Sequence, residues 1–203
     1  MAAVVTDMDQ PLGFAVGNAL EVKEAIAVLR GVDIPDLREL CMVLGSQILT
    51  RSCIAPDADA ARAALEKSIE SGAALEKLSE MVAAQGGDPA AVYDTSLLPA
   101  APVRRTVLAP RDGYIAAMEA KDIGLVSMHL GGGRATKEDV IDLSVGVLLA
   151  AKVGTYLRAG EPLAEIHAAS EKDAAAAEEE LLACYTFGDE KPVRPPFIRG
   201  IVS

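Results

Sequence analysis

The most constraining feature of this sequence is a change of pattern at a short proline-containing stretch, residues 98–103. Before this stretch apolar residues recur at the spacing of amphipathic helices, whereas after it short β-rich runs alternate with turns. Its two prolines, Pro99 and Pro102, disfavour helix and strand alike. The sequence therefore predicts an α/β protein with two domains, residues 1–98 and 103–203.

The first domain is predicted to contain a strand followed by four helices, as the end of a larger mixed α/β domain. The apolar run from Ala2 to Thr6 is typical of a buried strand, and such a strand needs neighbours on both edges. We therefore expect this run to complete a larger sheet. Its open edge predicts non-native association of the isolated chain.

Capping patterns locate the helices of the first domain. Asn18 with Glu21, and Asp36 with Glu39, have the capping-box spacing at which a helix begins. Two further helices are predicted at about residues 57–70 and 73–84, each followed by glycine. The second helix is predicted to bury one stripe, formed by Leu40, Val43, Leu44 and Ile48.

The second domain is predicted to be α+β with a barrel-sandwich-like β core. Strand-forming runs occupy residues 106–109, 114–119, 125–130, 145–152 and 163–167. Gly113 and Gly160 lie in corresponding turns, so the β core contains two strand–turn repeats. Ser170 then caps a last helix that ends near Tyr185, and residues 192–203 are predicted to be extended.

Charge and composition exclude several classes of function. A net charge of −11 and a pI of about 4.6 leave no basic stripe for binding nucleic acid. No apolar run approaches the roughly 20 residues of a membrane helix, and the first residues lack a secretory-signal pattern. Cys41, Cys53 and Cys184 lack metal-ligand spacing, which predicts reduced thiols in a cytoplasmic protein.

The most informative segment runs from Thr6 to Gly13, with the sequence T-D-M-D-Q-P-L-G, and continues after a short gap as G-N-A-L-E-V-K-E-A from Gly17. Its residues predict a strand, a glycine-rich turn and a capped helix. Such a turn suits an oxyanion or exposes carbonyl groups to a cation. An ordinary connection between a strand and a helix is the alternative.

This segment resembles the T-D-M-N-Q-P-L-G signature of the pyrimidine-nucleoside and thymidine phosphorylases, with Asp9 where that family usually has asparagine. The similarity continues, in the family's order, through residues 78–87, 109–114, 130–134 and 160–167. The resemblance covers nearly the whole chain and implies the carboxy-terminal half of a longer enzyme.

The resemblance implies a pentosyltransferase that uses phosphate to cleave a pyrimidine nucleoside or deoxynucleoside into a free base and a pentose 1-phosphate. Such an enzyme must neutralise the phosphate and stabilise the departing base. The family's groups for both tasks precede the T-D-M segment, so no catalytic residue is assigned to this chain. We expect the chain alone to be inactive and the intact enzyme to be a homodimer.

By resemblance, a structural potassium ion is bound by the backbone carbonyl groups of Leu12 and Ala15 and by the carboxylate of Glu24. Oxygen-only ligation suits a hard cation. The alternative for Glu24 is a solvated helix glutamate.

The resemblance also implies a cleft loop formed by Gly131, Gly132, Gly133 and Arg134, which approaches the active-site cleft on closure. Consecutive backbone N–H groups there suit an anion, although a mobile surface turn is the alternative. His129 and His167 are interpreted as structural residues, and the acidic run 178–180 as a solvated helix face.

A second functional class is a non-catalytic module with a lipoyl-like barrel-sandwich fold at residues 104–168. A carrier of this kind needs a lysine at an exposed hairpin tip. Lys121 is the nearest candidate, but it lacks the flanking residues typical of such carriers. The shape is therefore kept as a hypothesis, and the carrier activity is not.

Overall fold

The computed structural model describes residues 2–134 and 136–202; the predicted domain limits at residues 1 and 203 lie outside the described residues. The helices are α1 (Asn18–Leu29), α2 (Pro35–Arg51), α3 (Ala58–Glu70), α4 (Ala73–Ala84), α5 (Ala90–Tyr93), α6 (Ala120–Ser127) and α7 (Glu171–Ala183). The strands are β1 (Ala3–Thr6), β2 (Ala15–Val16), β3 (Val103–Leu108), β4 (Gly113–Met118), β5 (Gly146–Leu149), β6 (Tyr156–Leu157), β7 (Pro162–Ala168), β8 (Tyr185–Gly188) and β9 (Ile198–Val202). The predicted mixed α/β class is confirmed.

The chain divides into two compact units, each assembled from separate segments. Unit 1 comprises Met1–Asp7, Lys23–Leu97 and Pro196–Ser203, and unit 2 comprises Met8–Val22 and Leu98–Pro195. The sequence places its boundary at 98–103, close to the change of unit after Leu97. The units do not result from a single cut in the sequence. Strand β2 pairs with β5, and β1 pairs with β9, although the partners are far apart in the sequence.

Helices dominate unit 1, where α2 packs against α3 and α3 against α4. The predicted helix at 57–70 is confirmed, since Asp57 caps α3 by accepting a hydrogen bond of 2.8 Å from the Ala60 N–H. The predicted helix at 73–84 is also confirmed, and Gly86 follows it with a φ of 81°. Glycine adopts this left-handed conformation without steric penalty.

Two predictions about the second helix are wrong. It begins at Pro35 rather than after Asp36, because proline has no N–H and a fixed φ that suits the first helical position. Its fully buried residues are Met42 and Ser46, while Leu44 and Ile48 are 42% and 65% exposed. Leu40 and Val43 are half-buried.

A short side chain explains which face of α2 packs. A Cβ added to Gly45 would lie 2.7 Å from the Leu65 side chain of α3, so the two helices approach closely at this point. The neighbouring residue, Ser46, is buried. The close approach turns the face with Gly45 towards α3 and leaves Leu44 and Ile48 of the predicted stripe exposed.

Strand β1 confirms the predicted strand but not its burial. It pairs antiparallel with β9, with Ala3 opposite Val202 and Val5 opposite Gly200. Within the described residues β9 is its only strand neighbour, and Val5 is 48% exposed. The strand is therefore not buried in this chain, because a two-stranded ribbon covers neither of its faces.

Two antiparallel sheets form unit 2: four strands in the order β2-β5-β7-β3 and three in the order β6-β4-β8. The apolar core of this unit includes completely buried Val107, Ile115, Leu163, Ile166 and Leu181. The predicted strands at 106–109, 114–119, 145–152 and 163–167 are confirmed within a few residues. Ser170 caps α7 as predicted.

The strand predicted at 125–130 is wrong. This segment forms the end of α6 and a π turn at Met128–Gly132. Ile123, Val126 and Leu130 are buried, and their spacing of three and four residues fits a helix better than a strand. The short strands β2, β6 and β8 are not among the predicted elements.

Candidate functional site

The residues that follow the T-D-M-D-Q-P-L-G segment join the four-stranded sheet of unit 2. Strand β2 pairs antiparallel with β5, so that Ala15 lies opposite Leu148. The Leu149 N–H extends this pairing by donating a hydrogen bond of 2.7 Å to the Phe14 carbonyl. Asp9 takes part through its backbone carbonyl, which accepts a hydrogen bond from the Ala120 N–H at 3.2 Å.

Two glycines make this pairing possible. Gly17 and Gly146 have φ angles of 145° and 151°, and their Cα atoms lie at the contact between β2 and β5. A Cβ on Gly146 would lie 2.4 Å from the Val16 carbonyl oxygen, and one on Gly17 would lie 2.6 Å from the Val145 oxygen. No side chain fits in this space, which is why glycine is required at both positions.

The start of α1 differs from the predicted capping box. The Glu21 carboxylate accepts a hydrogen bond of 3.0 Å from the Gly17 N–H, so Gly17 takes the capping position. Asn18 has a different role: its side-chain amide donates a hydrogen bond of 2.9 Å to the Gly132 carbonyl. This bond joins α1 to the glycine loop, which is the predicted cleft loop Gly131–Arg134. No local sequence pattern indicates this link.

The predicted cleft loop begins within the π turn, at Gly131. Gly131 has a φ of 101°, and its carbonyl accepts a hydrogen bond of 2.9 Å from the Asp142 N–H. An open cleft of about 380 Å³ lies beside the loop and is lined by Met128, His129, Gly131, Gly133, Asp139 and Val140. Arg134 is exposed. The role of Gly131–Arg134 at an active site stays a prediction.

The residues predicted to bind potassium are distributed over both units. Leu12 and Ala15 belong to unit 2, whereas Glu24 lies on the part of α1 that belongs to unit 1. The Leu12 carbonyl accepts no hydrogen bond from the described residues, and the Leu12 side chain is 39% exposed. Within the described residues, no group of three or more His, Cys, Asp and Glu side chains suggests a different metal site. The potassium site stays a prediction.

Both histidines lie beside a carboxylate. The His129 Nδ1 atom is 2.8 Å from a Glu180 oxygen, and the buried His167 has its Nε2 atom 2.7 Å from a Glu165 oxygen. Glu165 and His167 are two residues apart on β7, so they share one face of the strand. Each histidine therefore has a carboxylate partner, and the interpretation of both as structural residues stays a prediction.

The acidic run of α7 is more than a solvated face. The Glu178 carboxylate accepts a hydrogen bond of 2.6 Å from Arg105 on β3, and Glu180 pairs with His129. The interpretation of residues 178–180 as a solvated face therefore holds for Glu179 and Glu180, which are exposed, but not for the half-buried Glu178. The two pairs attach α7 to β3 and to the π turn.

The three cysteines are free thiols, as predicted. Burial, reinforced by the negative charges of Asp122, Glu180 and Glu119, raises the pKa of Cys184 to about 11. Burial also raises the pKa of the neighbouring Tyr185. The thiolate is the reactive form of cysteine, so Cys184 is suited to packing rather than to chemistry.

Two further motif segments meet in unit 2, at the turns around Gly113 and Gly160. The Ala109 N–H donates to the Glu161 carbonyl at 2.8 Å, and the Gly160 N–H donates to the Ala109 carbonyl at 2.9 Å. Asp112 accepts a further hydrogen bond of 2.7 Å from the Ala159 N–H. The two repeats seen in the sequence therefore contact each other through their turns.

Comparison with known proteins shows which family the chain resembles. The profile of the pyrimidine nucleoside phosphorylase C-terminal domain matches residues 114–188. The chain is 49% identical over 166 residues to the pyrimidine-nucleoside phosphorylase of Bacillus subtilis (strain 168), which is 82% of this chain and 38% of the relative. It is 46% identical over 170 residues to that of Geobacillus stearothermophilus, which is 84% of this chain and 39% of the relative.

The chain is similar to the carboxy-terminal part of the pyrimidine-nucleoside phosphorylases. It spans less than two fifths of the length of these curated relatives and corresponds to their carboxy-terminal part. The matched phosphorylase domain, residues 114–188, lies within unit 2 and includes the glycine loop and both histidines.

The structure argues against the rival function as a carrier module. Lys121 lies in the first turn of α6, not at the tip of a hairpin, so it cannot present a carrier group in the way a lipoyl-type domain does. Within the described residues no helix is both long and apolar enough to cross a membrane.

Proposed function

We propose that this chain is the carboxy-terminal part of a pyrimidine-nucleoside phosphorylase. The enzyme would use phosphate to cleave pyrimidine nucleosides and deoxynucleosides into a free base and a pentose 1-phosphate. The observation that carries the proposal is 46–49% identity to phosphorylases over more than four fifths of this chain. The contacts of the signature segment support it, because they give its residues defined positions rather than those of a loose connection.

Phosphorolysis requires groups that neutralise phosphate and stabilise the base as it leaves. We assign none of these groups to the described residues. In this proposal they come from the part of the phosphorylase that the chain does not span, so the chain alone is inactive. The exposed apolar side chains of unit 1, among them Val5 and Ile48, support a need for further polypeptide.

The chain would contribute ligands to a potassium site. The carbonyl groups of Leu12 and Ala15 and the carboxylate of Glu24 form an all-oxygen set, which suits a hard monovalent cation. The Leu12 carbonyl, which has no hydrogen-bond donor among the described residues, supports this assignment. When bound, the ion would supply positive charge beside the signature turn, residues 10–14.

Three finer features belong to the same proposal. The intact enzyme is a homodimer, it acts in the cytoplasm, and the β core of unit 2 is a barrel-sandwich. The reciprocal contacts of the turns around Gly113 and Gly160 support the last feature.

The test is an assay of phosphate-dependent release of uracil from uridine and thymine from thymidine. The chain is assayed alone and then mixed with the part of the Bacillus subtilis relative that precedes its matched region. We expect activity only in the mixture, and only when phosphate is present. Robust phosphorolysis by the chain alone, or none in a mixture that forms a stable complex, contradicts the proposal.

The same mixture tests the potassium site. Replacing Glu24 by glutamine removes the only side-chain ligand of the proposed set, so activity should require more potassium. Glu179→Gln is the matched control, because Glu179 is an exposed helix glutamate of unit 2. Equal potassium requirements for the two variants would contradict the assignment of Glu24.

A further inference from the structure

Lys152, shortly after β5, contacts the signature turn 141 residues earlier in the chain. Its ammonium group donates a hydrogen bond of 2.8 Å to the Pro11 carbonyl. Lys152 is half-buried, and Pro11 is buried. A partly buried lysine gains from a defined acceptor, because its charge is costly to leave without one.

A second contact fixes the same ammonium group. The Nζ atom lies 4.8 Å from the centroid of the Phe14 ring, within the distance of a cation–π interaction. Pro11 and Phe14 flank Leu12 and Gly13. One side chain therefore contacts the turn on both sides of the Leu12 carbonyl.

The backbone next to Lys152 adds to this attachment. The Val153 N–H donates a hydrogen bond of 3.3 Å to the Gln10 side-chain oxygen, and the Leu149 N–H donates to the Phe14 carbonyl at 2.7 Å. These bonds hold the two ends of the turn. Between them, the Lys152 side chain holds the Pro11 carbonyl.

We infer that Lys152 is a positioning residue that holds the signature turn in the conformation in which its carbonyl groups bind a monovalent cation. The inference rests on the proposed function and its potassium site. Lys152 is not itself a ligand in this account. Groups that orient metal ligands commonly change metal affinity by about 10- to 100-fold when they are mutated.

An opposing effect gives the inference a definite sign. The ammonium charge by itself repels a nearby cation, so removing it would strengthen cation binding if charge were the main effect. If orientation is the main effect, removing the side chain weakens cation binding. The two effects predict opposite changes in the potassium requirement.

Three variants separate these effects. Lys152→Met keeps an unbranched apolar side chain but cannot donate to Pro11, whereas Lys152→Arg keeps a charged donor that also stacks on an aromatic ring. Lys121→Met is the matched control, since Lys121 is exposed at the start of α6.

The first measurement is hydrogen exchange of the chain alone. We expect Lys152→Met to accelerate exchange of the Leu149 and Val153 amides, which donate to Phe14 and Gln10 at the two ends of the turn, about tenfold, because the turn opens more often. Lys152→Arg and Lys121→Met should exchange like the wild-type chain. Unchanged exchange in Lys152→Met would overturn the inference.

The second measurement is the potassium concentration for half-maximal activity of the mixture with the amino-terminal part. We expect about a tenfold increase for Lys152→Met, near-normal maximal activity at saturating potassium, and a near-normal requirement for Lys152→Arg. A lower potassium requirement in Lys152→Met would overturn the inference. A wild-type mixture without activity contradicts the proposed function instead, and the exchange measurement then decides on its own whether Lys152 holds the turn.

Discussion

The two units of this chain differ in how many large apolar side chains they bury. Among the described residues, only Ile26 of the ten largest fully buried side chains belongs to unit 1, and the other nine belong to unit 2. Large apolar side chains are exposed in both units, for example Ile48 in unit 1 and Val140 in unit 2. The units therefore differ in the size of their apolar core, which is much larger in unit 2.

The larger core coincides with the region that matches the phosphorylase profile. The matched phosphorylase domain lies in unit 2, where the two sheets share one core with α6 and α7. The strand and helices of unit 1 leave apolar surface that burial would stabilise by about 25 cal/mol per Å². The comparison predicts that mutations in unit 2 change the stability of the chain, whereas mutations of the exposed face of unit 1 change its association.

The largest expected effect comes from the core of unit 2. Ile166→Ala removes a completely buried side chain and should lower the free energy of unfolding by about 2–5 kcal/mol. Ile48→Ala, at a position that is 65% exposed, should change it by less than about 0.5 kcal/mol. Chemical denaturation of both variants measures the difference. Equal losses would break the distinction between the units.

The next effect concerns the contact between the signature segment and β5. Gly146→Ala should cost about 2–4 kcal/mol, because the new Cβ meets the Val16 carbonyl oxygen and the φ of 151° is strained for alanine. Gly160→Ala is the control: its φ is 84°, but nothing lies within 4 Å of the added Cβ. Its cost should be only about 1 kcal/mol. A similar cost for both variants, measured by denaturation, would contradict the close packing of β2 on β5.

A smaller effect is expected for the bond between Asn18 and the glycine loop. Asn18→Ala removes the hydrogen bond to the Gly132 carbonyl and should cost about 1 kcal/mol. Hydrogen exchange should become faster at residues 131–133 and stay unchanged in β4, which serves as the internal control. Unchanged exchange in the loop would mean that Asn18 does not hold it.

The smallest effect lies in unit 1 and depends on pH. Arg62 lowers the pKa of Glu39 below its ordinary value of 4.5, chiefly by hydrogen bonding to its carboxylate. Because the pKa is lower in the folded chain, the pair stabilises fully above pH 4.5, and its contribution is lost as the pH falls through the folded-state pKa. Both side chains are more than a third exposed, so the contribution at neutral pH is at most about 0.5 kcal/mol.

Glu39→Gln should therefore destabilise the chain slightly at pH 7 and progressively less below pH 4.5. Glu70→Gln, at an exposed position at the end of α3, is the matched control and should have no such pH dependence. Denaturation at several pH values makes the measurement. A larger loss at low pH than at pH 7 would contradict the sign.

Local patterns predicted the elements of the fold that local chemistry determines. Asp57 and Ser170 cap helices because their side chains reach the backbone of the next turn, and this requires no distant partner. The prediction failed at Ile48 because the face of α2 that packs is set by the contact of Gly45 with Leu65 on another helix. Such contacts cannot be read from the periodicity of one helix.

The candidate site was predictable only in part for the same reason. The family signature identified the turn that contains Leu12, but the partners of that turn lie more than 100 residues later in the sequence. Asn18 has the right spacing for a helix cap, and only the fold brings Gly132 within reach of its amide. Lys152 carries no sequence motif that would connect it with Pro11.

The most direct test of the central claim compares hydrogen exchange in the two units before and after the amino-terminal part of a phosphorylase is added. The account predicts that amides of β7 in unit 2 are protected in both states, whereas those of β1 become strongly protected only in the complex. The claim would be contradicted if β1 were already as well protected as β7 in the chain alone and did not change on mixing.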